Sequence, residues 1–382
     1  MADTSVMNHP SMICTDLPAD MLEAVVTKLP TVDLLSASCV SHGWLHAVRS
    51  SLHTKPRLFP WLILRCLPHP VATTHTIHAL DPHSRTWLCV PRHYNSTGKA
   101  KEPSPTLNFL HGSTRDRLYA LTLSQLLISK DPFGSSCQME AKGPNVWRQD
   151  AVVAEVQGQW VVVVGGGFLT DEGEEEGAVE VYNKQTGMWE LAEPMPAEFN
   201  GSTYATWLSV AVSEKRLYVI EKKTGWASRF DPESKKWGPT CQLRTIPSVS
   251  KWAIVMAGKE RLLLVGAGAE GGTGKEVMKV RAWEVDGDSL QVINNNKPME
   301  MPAEMVDRLF PNFDSLDEAR RQVCSVEVCG TEHGGYMFDP ASMKNGVVMY
   351  QFPESVGRAY RESVAVGCSP VLLHQVARCF QS

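Results

Sequence analysis

The chain has 382 residues, of which 43% are hydrophobic and 21% charged, and its formal net charge is -5. This length accommodates a short module beside a large one, and the balance of apolar and charged residues is that of a folded protein rather than a disordered or membrane-spanning one. Because the chain is acidic overall and has no basic cluster, it lacks the cationic face that favours nucleic-acid binding.

The first fourteen residues are polar, without the basic start and apolar core of a secretion signal, and no run of about 18 apolar residues follows. The ten cysteines are scattered and none forms a C-x-x-C pair. The sequence therefore predicts neither a disulfide framework nor structural zinc. We expect an intracellular protein of the cytoplasm and/or nucleus that contacts no membrane.

Residues 15–51 predict three short helices. The apolar side chains of the first recur at i, i+3, i+4 and i+7, as Leu22, Val25, Val26 and Leu29. Pro18 lies just inside its expected start and Pro30 at its end, while Thr31 and Ser41 are placed to cap the second and third helices. So short a module cannot cover its own apolar surface, which indicates a segment that packs onto something else.

The order of residues in this segment resembles the F-box motif, which runs Leu-Pro, Asp-x-Leu, Leu-Pro and Val-Cys-x-x-Trp. The matching positions are Leu17-Pro18, Asp20-Met21-Leu22, Leu29-Pro30 and Val40-Ser41-His42-Gly43-Trp44. The resemblance implies a surface for a Skp1-like adaptor made by Leu17, Pro18, Leu22, Leu29, Pro30, Leu34 and Leu35. It also implies a core packed by Val26, Val40 and Trp44. The alternative is an N-terminal helical cap folded onto the rest of the chain.

From Trp61 onwards the pattern changes to short apolar or alternating runs, which predict strands. The clearest runs are Trp61–Leu64, Trp160–Val164, Arg216–Ile220 and Arg261–Val265. Helical patterns return at Pro302–Leu309 and Ser315–Val323. The larger part of the chain is therefore predicted to be mainly β.

One short motif occurs three times in this part of the chain, with Asp or Asn six positions before a Trp. Its copies run from Asp81 to Trp87, from Asn183 to Trp189 and from Asp231 to Trp237. Each copy predicts a hairpin, because Asx opens a turn and the Trp then starts the returning strand. Trp147 continues the series without the turn, and the intervals between these tryptophans suit four-stranded propeller blades.

The order Gly165-Gly166-Gly167, then Tyr182 and Trp189, resembles a kelch repeat. The resemblance implies that the glycines permit a tight backbone between the second and third strands of a blade, and that Tyr182 and Trp189 fill the core between blades. It gives equivalent structural positions to Trp87, Trp147 and Trp237.

The predicted fold is a small all-α F-box head followed by an all-β kelch-type propeller of about five or six blades. The expected bounds are 1–14 for a flexible N-terminus, 15–51 for the F-box, 52–60 for a linker and 61–382 for the propeller. We expect the propeller to close by pairing a strand near Trp61 with one at Val371–Val376.

Three patterns that mimic ligand sites favour plainer interpretations. Gly266–Gly271 satisfies G-x-G-x-x-G, but a strand-like run at Val277–Val285 follows instead of the helix that would hold a pyrophosphate. The acidic run Asp171–Glu176 can chelate a cation or attract a basic target, although such runs are more often solvated loops. His75 and His78 lack a further ligand at metal-site spacing. The sequence predicts no catalytic residue, metal or cofactor.

Together, head and body resemble the F-box/kelch-repeat family, which is especially large in plants. The resemblance implies a substrate-recognition subunit of an SCF-type ubiquitin ligase. Its head binds a Skp1-like adaptor held by a cullin, and its propeller holds a target protein for ubiquitination and proteasomal degradation. Such a subunit is not an enzyme and contributes proximity.

Several segments resemble plant receptors for phenylpropanoid and flavonoid enzymes, chalcone synthase among them. They are Pro60–Leu64, Ala79–Pro82, Trp207–Val212 and Arg216–Val219. A flavonoid enzyme is therefore a candidate target, although recognition loops vary faster than scaffolds. Two other classes stay open: a kelch-fold metal enzyme similar to galactose-oxidase-like copper proteins, and a scaffold outside any ligase.

Overall fold

The computed structural model divides the chain into a helical unit, Met1–Phe59, and a strand unit, Pro60–Ser382. The expected flexible N-terminus, residues 1–14, lies outside the part that the structure describes. The described residues are 17–31, 33–54, 61–66, 74–81, 86–93, 111–112, 118–121, 125–129, 138–146, 148, 151–167, 177–205, 207–243, 249–257, 261–270, 277–293, 298–309, 323–325, 328–331, 334–338, 347–350 and 364–369.

The helical unit contains α1 (Ala19–Val26), α2 (Asp33–Ser38) and α3 (His42–Thr54). Pro18 occupies the N-cap of α1 with a ψ of 144°, so it lies just before the helix rather than just inside it. α1 ends well before Pro30, because the N–H groups of Lys28 and Leu29 bond three residues back and tighten the chain into a turn. α2 begins two residues after Thr31, the predicted cap.

Ser41 caps α3, as predicted. Its hydroxyl oxygen accepts the backbone N–H of Trp44 at 3.3 Å, which satisfies one of the free donors of the first helical turn. The helix runs through Thr54, so residues 52–54 are helical and do not belong to the expected linker. α3 packs on both α1 and α2, and half-buried Leu52 extends the packed side of the helix into its last turn.

The first half of the strand unit contains β1 (Trp61–Cys66), β2 (Thr74–Asp81), β3 (Thr86–His93), β4 (His111–Gly112), β5 (Leu118–Leu121), β6 (Gln125–Ser129), β7 (Gln138–Lys142), β8 (Val152–Val156), β9 (Trp160–Val164), β10 (Val179–Asn183) and β11 (Met188–Leu191). A short 3₁₀ helix, Ala197–Phe199, follows.

The second half contains β12 (Leu208–Val212), β13 (Leu217–Glu221), β14 (Trp226–Asp231), β15 (Lys236–Trp237), β16 (Cys241–Gln242), β17 (Val249–Ala257), β18 (Arg261–Glu270), β19 (Val277–Val285), β20 (Met299–Glu300), α4 (Ala303–Leu309), β21 (Val323–Ser325), β22 (Val328–Thr331), β23 (Gly334–Phe338), β24 (Val347–Tyr350) and β25 (Val364–Ser369). α4 confirms the helical pattern predicted at Pro302–Leu309. Of the pattern predicted at Ser315–Val323, residues 315–322 lie outside the described residues, and Val323 begins β21.

Consecutive strands pair into antiparallel sheets. In chain order we call β1–β3 the first sheet, β5–β7 the second, β8–β11 the third, β12–β16 the fourth, β17–β20 the fifth and β21–β24 the sixth. β4 adds to the edge of β8 in parallel, and β25 adds to β1 antiparallel. This repeated meander is consistent with a kelch-type propeller, and the number of blades stays a prediction.

All three Asx-to-Trp motifs form hairpins, as predicted. The register pairs Leu80 with Trp87, Tyr182 with Trp189 and Phe230 with Trp237. In the second and third copies the Asx side chain accepts the backbone N–H two residues on, at 2.9 Å for Gln185 and 3.0 Å for Glu233. The fourth residue after the Asx has a positive φ in both, 70° at Gly187 and 58° at Lys235, so the same turn forms with and without glycine.

Neighbouring sheets share apolar clusters, and β9 shows how one strand serves two of them. Val161 and Val163 pack in a cluster between the second and third sheets, whereas Val162 and Val164 pack in a cluster between the third and fourth. Successive side chains of a strand point to opposite faces. A strand covered on both faces therefore has a continuous valine run rather than an alternating pattern.

A C-terminal strand pairs with β1, as expected. Its residues differ from the prediction, because Trp61 lies opposite Ser369 and Cys66 opposite Val364. The partner is thus Val364–Ser369 and not Val371–Val376, which lies outside the described residues. Both are short apolar runs, and pairing between distant parts of the chain selects one of them.

The G-x-G-x-x-G pattern lies in a strand and not in a glycine loop. β18 runs through Gly266 and Gly268, and β19 follows at Val277–Val285, so no helix opens at the pattern. A Cβ on Gly266 would lie 2.9 Å from the Trp283 ring and 3.1 Å from the Trp252 ring. The glycine therefore makes room for two indole rings.

Candidate functional site

α1 carries apolar side chains on two faces. Leu22 and Val26 face inward, with exposed fractions of 5% and 0%. Leu17, Met21 and Val25 are exposed by 46%, 53% and 42%. Because residues four apart in a helix share a face, and Leu17 stands just before the helix, these three side chains form an exposed apolar row. We call this row the α1 stripe.

The interior of the helical unit comes from all three helices. α2 contributes Leu34 and Ala37, and α3 contributes Ala47 and Val48, all of them buried. Leu22 and Val26 of α1 complete this set. The inward faces of the helices are therefore used for folding, which leaves the α1 stripe available for contact with another molecule.

The predicted adaptor-binding residues divide into three groups. Leu17 and Pro18 are exposed, and Leu29, Pro30 and Leu35 are half-buried. Leu22 and Leu34 are buried, so they are core residues and not surface residues. Of the predicted core residues, Val26 is buried and Trp44 is half-buried, but Val40 is exposed by 65%.

Met21 and Val25 are surface residues that the F-box motif did not predict. A motif records which positions are apolar, whereas burial depends on which side of α1 meets α2 and α3. The four-residue spacing from Leu17 was the signal that could have found them.

In the strand unit, the three kelch-like glycines, Gly165, Gly166 and Gly167, leave room for the segment after β11 to pack directly against their backbone. Gly165 and Gly166 have φ values of 63° and 90°, and Gly166 donates its N–H to the Thr203 carbonyl at 2.8 Å. A Cβ on Gly165 would lie 2.1 Å from that oxygen, and one on Gly167 would lie 2.2 Å from the Tyr204 hydroxyl. Larger residues would displace this segment.

Trp189 and Trp237 each tie a sheet to the part of the chain before it. The indole N–H of Trp189 donates to the carbonyl of Lys142 in β7 at 2.8 Å, and that of Trp237 donates to the carbonyl of Glu193 after β11 at 3.1 Å. Each ring also packs on the aromatic residue opposite it in its hairpin, with ring centroids 5.3 Å and 5.1 Å apart. These tryptophans therefore join neighbouring sheets.

The other predicted structural residues fall as follows. Tyr182 is buried between the second and third sheets, and burial, with a smaller effect of Glu140, raises the pKa of its phenol. Trp87 is half-buried in β3. Trp147 lies outside the described residues, and so does the acidic run Asp171–Glu176.

A buried ion pair fixes the segment that leads into the third sheet. Arg148 Nη2 lies 2.6 Å from Glu180 Oε2, and neither side chain is exposed. The Glu180 carboxylate also accepts the backbone N–H groups of Asn145 and Val146, at 2.8 Å and 3.2 Å. Arg148 in turn donates to the carbonyl of Ala178. Each partner is therefore held by further hydrogen bonds.

No three His, Cys, Asp or Glu side chains of the described residues are grouped so that they could hold a metal. His78 is buried in β2, and burial lowers its pKa. Nor is any helix in the described part of the chain both long and apolar enough to cross a bilayer.

Residues 14–55, which contain the three helices, match the F-box domain. The match spans α1, α2 and α3, and it ends one residue after α3 does.

Over 229 residues the chain is 34% identical to an F-box/kelch-repeat protein of Arabidopsis thaliana. The alignment covers 58% of this chain and 55% of the relative, so it spans about half of the relative's length. Both findings support the predicted resemblance to the F-box/kelch family.

Solved structures with a partial likeness include a fungal alcohol oxidase of the AA5 family in complex with copper. Its TM-score is 0.41 at 12% identity, covering 64% of this chain and 54% of that chain. Hydrazine synthase of Kuenenia stuttgartiensis has a TM-score of 0.36 at 11% identity, covering 78% and 83%. Likenesses at this level carry no conclusion about fold or chemistry.

Proposed function

We propose that this protein is the substrate-recognition subunit of an SCF-type ubiquitin ligase, working in the cytoplasm and/or nucleus. The F-box match of residues 14–55 carries the proposal, because F-box domains generally bind Skp1 within SCF complexes. In this proposal the helical unit binds a Skp1-like adaptor and, through it, a cullin. The strand unit, a kelch propeller, holds the target protein.

The α1 stripe supplies the apolar surface that such an adaptor would cover. Fully burying a side chain of the size of Leu, Met or Val contributes about 1.5–3 kcal/mol. The three side chains of the stripe are each about half exposed, so covering them makes roughly half of that available per side chain. The sum is of the order of 3 kcal/mol, which corresponds to about a hundredfold in affinity.

The chain's contribution to ubiquitination is proximity. Holding a target lysine near a charged E2 raises the effective concentration of the two reactants. A flavonoid or phenylpropanoid enzyme such as chalcone synthase is the proposed target, supported by the four resembling segments in the strand unit. The resemblance concerns the scaffold, so the target is the part of the proposal that needs its own test.

The test replaces two exposed residues of the α1 stripe, in the variant Met21→Lys/Val25→Lys. We expect co-purification with a Skp1-like adaptor to fall at least about tenfold, because two cations then face an apolar partner surface. His46→Lys is the control, since it places one added cation at an exposed position on α3, outside the α1 stripe.

Both substituted positions are exposed, so circular dichroism and the melting temperature should stay close to those of the parent chain. Undiminished adaptor binding by the double variant, with the fold intact, contradicts the assignment of this surface. Absence of adaptor binding by the parent chain contradicts the ligase proposal itself.

A further inference from the structure

Two aromatic side chains lie exposed on the connection between β11 and β12. Tyr204 is exposed by 41% and Trp207 by 52%. The backbone N–H of Trp207 donates to the Tyr204 carbonyl at 2.9 Å, so a tight turn joins them. Large aromatic side chains are usually at least partly covered, and they are enriched where proteins bind one another.

The segment that carries these aromatics is anchored on the third sheet. Thr203 is buried, and its carbonyl accepts the Gly166 N–H at 2.8 Å. The Tyr204 ring lies against Gly167, where no Cβ could fit. A segment fixed in this way loses little further entropy when a partner binds.

A lysine turn of the fourth sheet adjoins Trp207. The Trp207 carbonyl accepts the Lys222 N–H at 3.0 Å. Glu221, which is buried, accepts both the backbone N–H and the hydroxyl of Thr224 and so holds the turn. Lys223 is exposed and makes no hydrogen bond or ion pair with any described residue.

We propose that Tyr204, Trp207, Lys222 and Lys223, which we name the aromatic–lysine patch, bind an acidic segment of the target protein. The inference rests on the proposed function, because it specifies which part of the strand unit holds the target. A carboxylate of the partner would pair with the Lys223 ammonium group, beside the positive charge of Lys222. An apolar side chain of the same segment would pack on the Tyr204 and Trp207 rings.

Charge complementarity favours an acidic partner. The chain has a net charge of -5, whereas two adjacent lysines make the surface beside the exposed aromatics locally positive. Glu221, the acidic residue next to them in the chain, is buried and already engaged. The other occupants to be tested are a basic segment and the chain's own acidic run, Asp171–Glu176.

The experiment measures fluorescence anisotropy of two labelled peptides against the purified full-length chain. One peptide alternates Glu with Phe, and the other alternates Lys with Phe at the same length. We expect the acidic peptide to bind, to weaken with added salt, and to lose about tenfold in affinity with either Trp207→Ala or Lys222→Glu/Lys223→Glu. Lys215→Glu, at the opposite end of the β12–β13 hairpin, and Met188→Ala, an exposed apolar position on β11, should leave binding unchanged.

Several results would overturn the proposal. One is stronger binding of the basic peptide, and another is equal losses in the control variants. A third is binding of the acidic peptide that appears only after D171N, E172Q, E174Q, E175Q and E176Q are combined, since the patch would then be occupied by the chain itself. Adaptor co-purification of the same variants keeps the two proposals apart, because failure of the patch leaves adaptor binding intact.

Discussion

Replacing Arg148 with Met tests whether the buried ion pair holds the third sheet together. The substitution removes the cation 2.6 Å from Glu180 Oε2, leaving a carboxylate with no exposed area and two backbone N–H partners. It also removes the donor to the Ala178 carbonyl. Breaking one side of a buried pair costs about 3–5 kcal/mol, a large part of the roughly 5–15 kcal/mol by which domains are stable.

Urea unfolding followed by tryptophan fluorescence measures this loss, provided that the denaturant slope is unchanged. The double variant Arg148→Met/Glu180→Gln should recover much of it, because the amide still accepts a backbone N–H and leaves no unpaired charge. Arg216→Met is the control, since its pair with Asp288 is 34% and 77% exposed and should cost at most about 1 kcal/mol. A loss below about 1 kcal/mol for Arg148→Met, or no recovery in the double variant, would refute the reasoning.

Three further predictions concern stability. Gly43→Ala should stabilise the helical unit by up to about 1 kcal/mol, since its Cβ would lie 3.5 Å from Leu22 Cδ1; a lower melting temperature would contradict it. Ser209→Ala should cost about 1–3 kcal/mol in urea unfolding, because the buried Ser209 Oγ accepts the Ile254 N–H at 3.0 Å; a neutral result would show that the N–H finds another partner. The free energy of unfolding should fall as pH drops below 6.5, the ordinary pKa of histidine, because the unfolded chain protonates His78 before the folded chain does. His78→Gln should flatten this pH dependence, and an unchanged slope between about pH 5 and 8 would show that other groups cause it.

The hairpins were predictable because their signals are local. An Asx side chain needs only the N–H two residues on, and this bond forms at Gln185 and Glu233. The cap of α3 is equally local, since Ser41 and Trp44 lie within one turn. Such features depend on neighbours in sequence, which the sequence itself displays.

Features that depend on distant partners were not predictable in detail. The choice of Val364–Ser369 over Val371–Val376 depends on pairing with β1, some 300 residues away in the chain. Gly266 lies in a strand and makes room for two indole rings, which come from the neighbouring strands of the fifth sheet. Likewise, Leu22 was expected on the surface but is buried, and Val40 was expected in the core but is exposed. Helix packing, and not the apolar character of a position, decides which residue is buried.

Both proposed surfaces separate binding from folding, for the same physical reason. Met21 and Trp207 are about half exposed, but other residues fix the backbone that carries them. In α1 these are the buried Leu22 and Val26. Before β12 it is Thr203, whose carbonyl accepts the Gly166 N–H. Replacing an exposed side chain removes little buried area, so its cost to stability is small, generally within about 0.5 kcal/mol. The same side chain covered by a partner contributes more than that to affinity, about 0.8–1.5 kcal/mol. Variants in the α1 stripe and in the aromatic–lysine patch should therefore each weaken one interaction, while the chain stays folded and the other interaction survives.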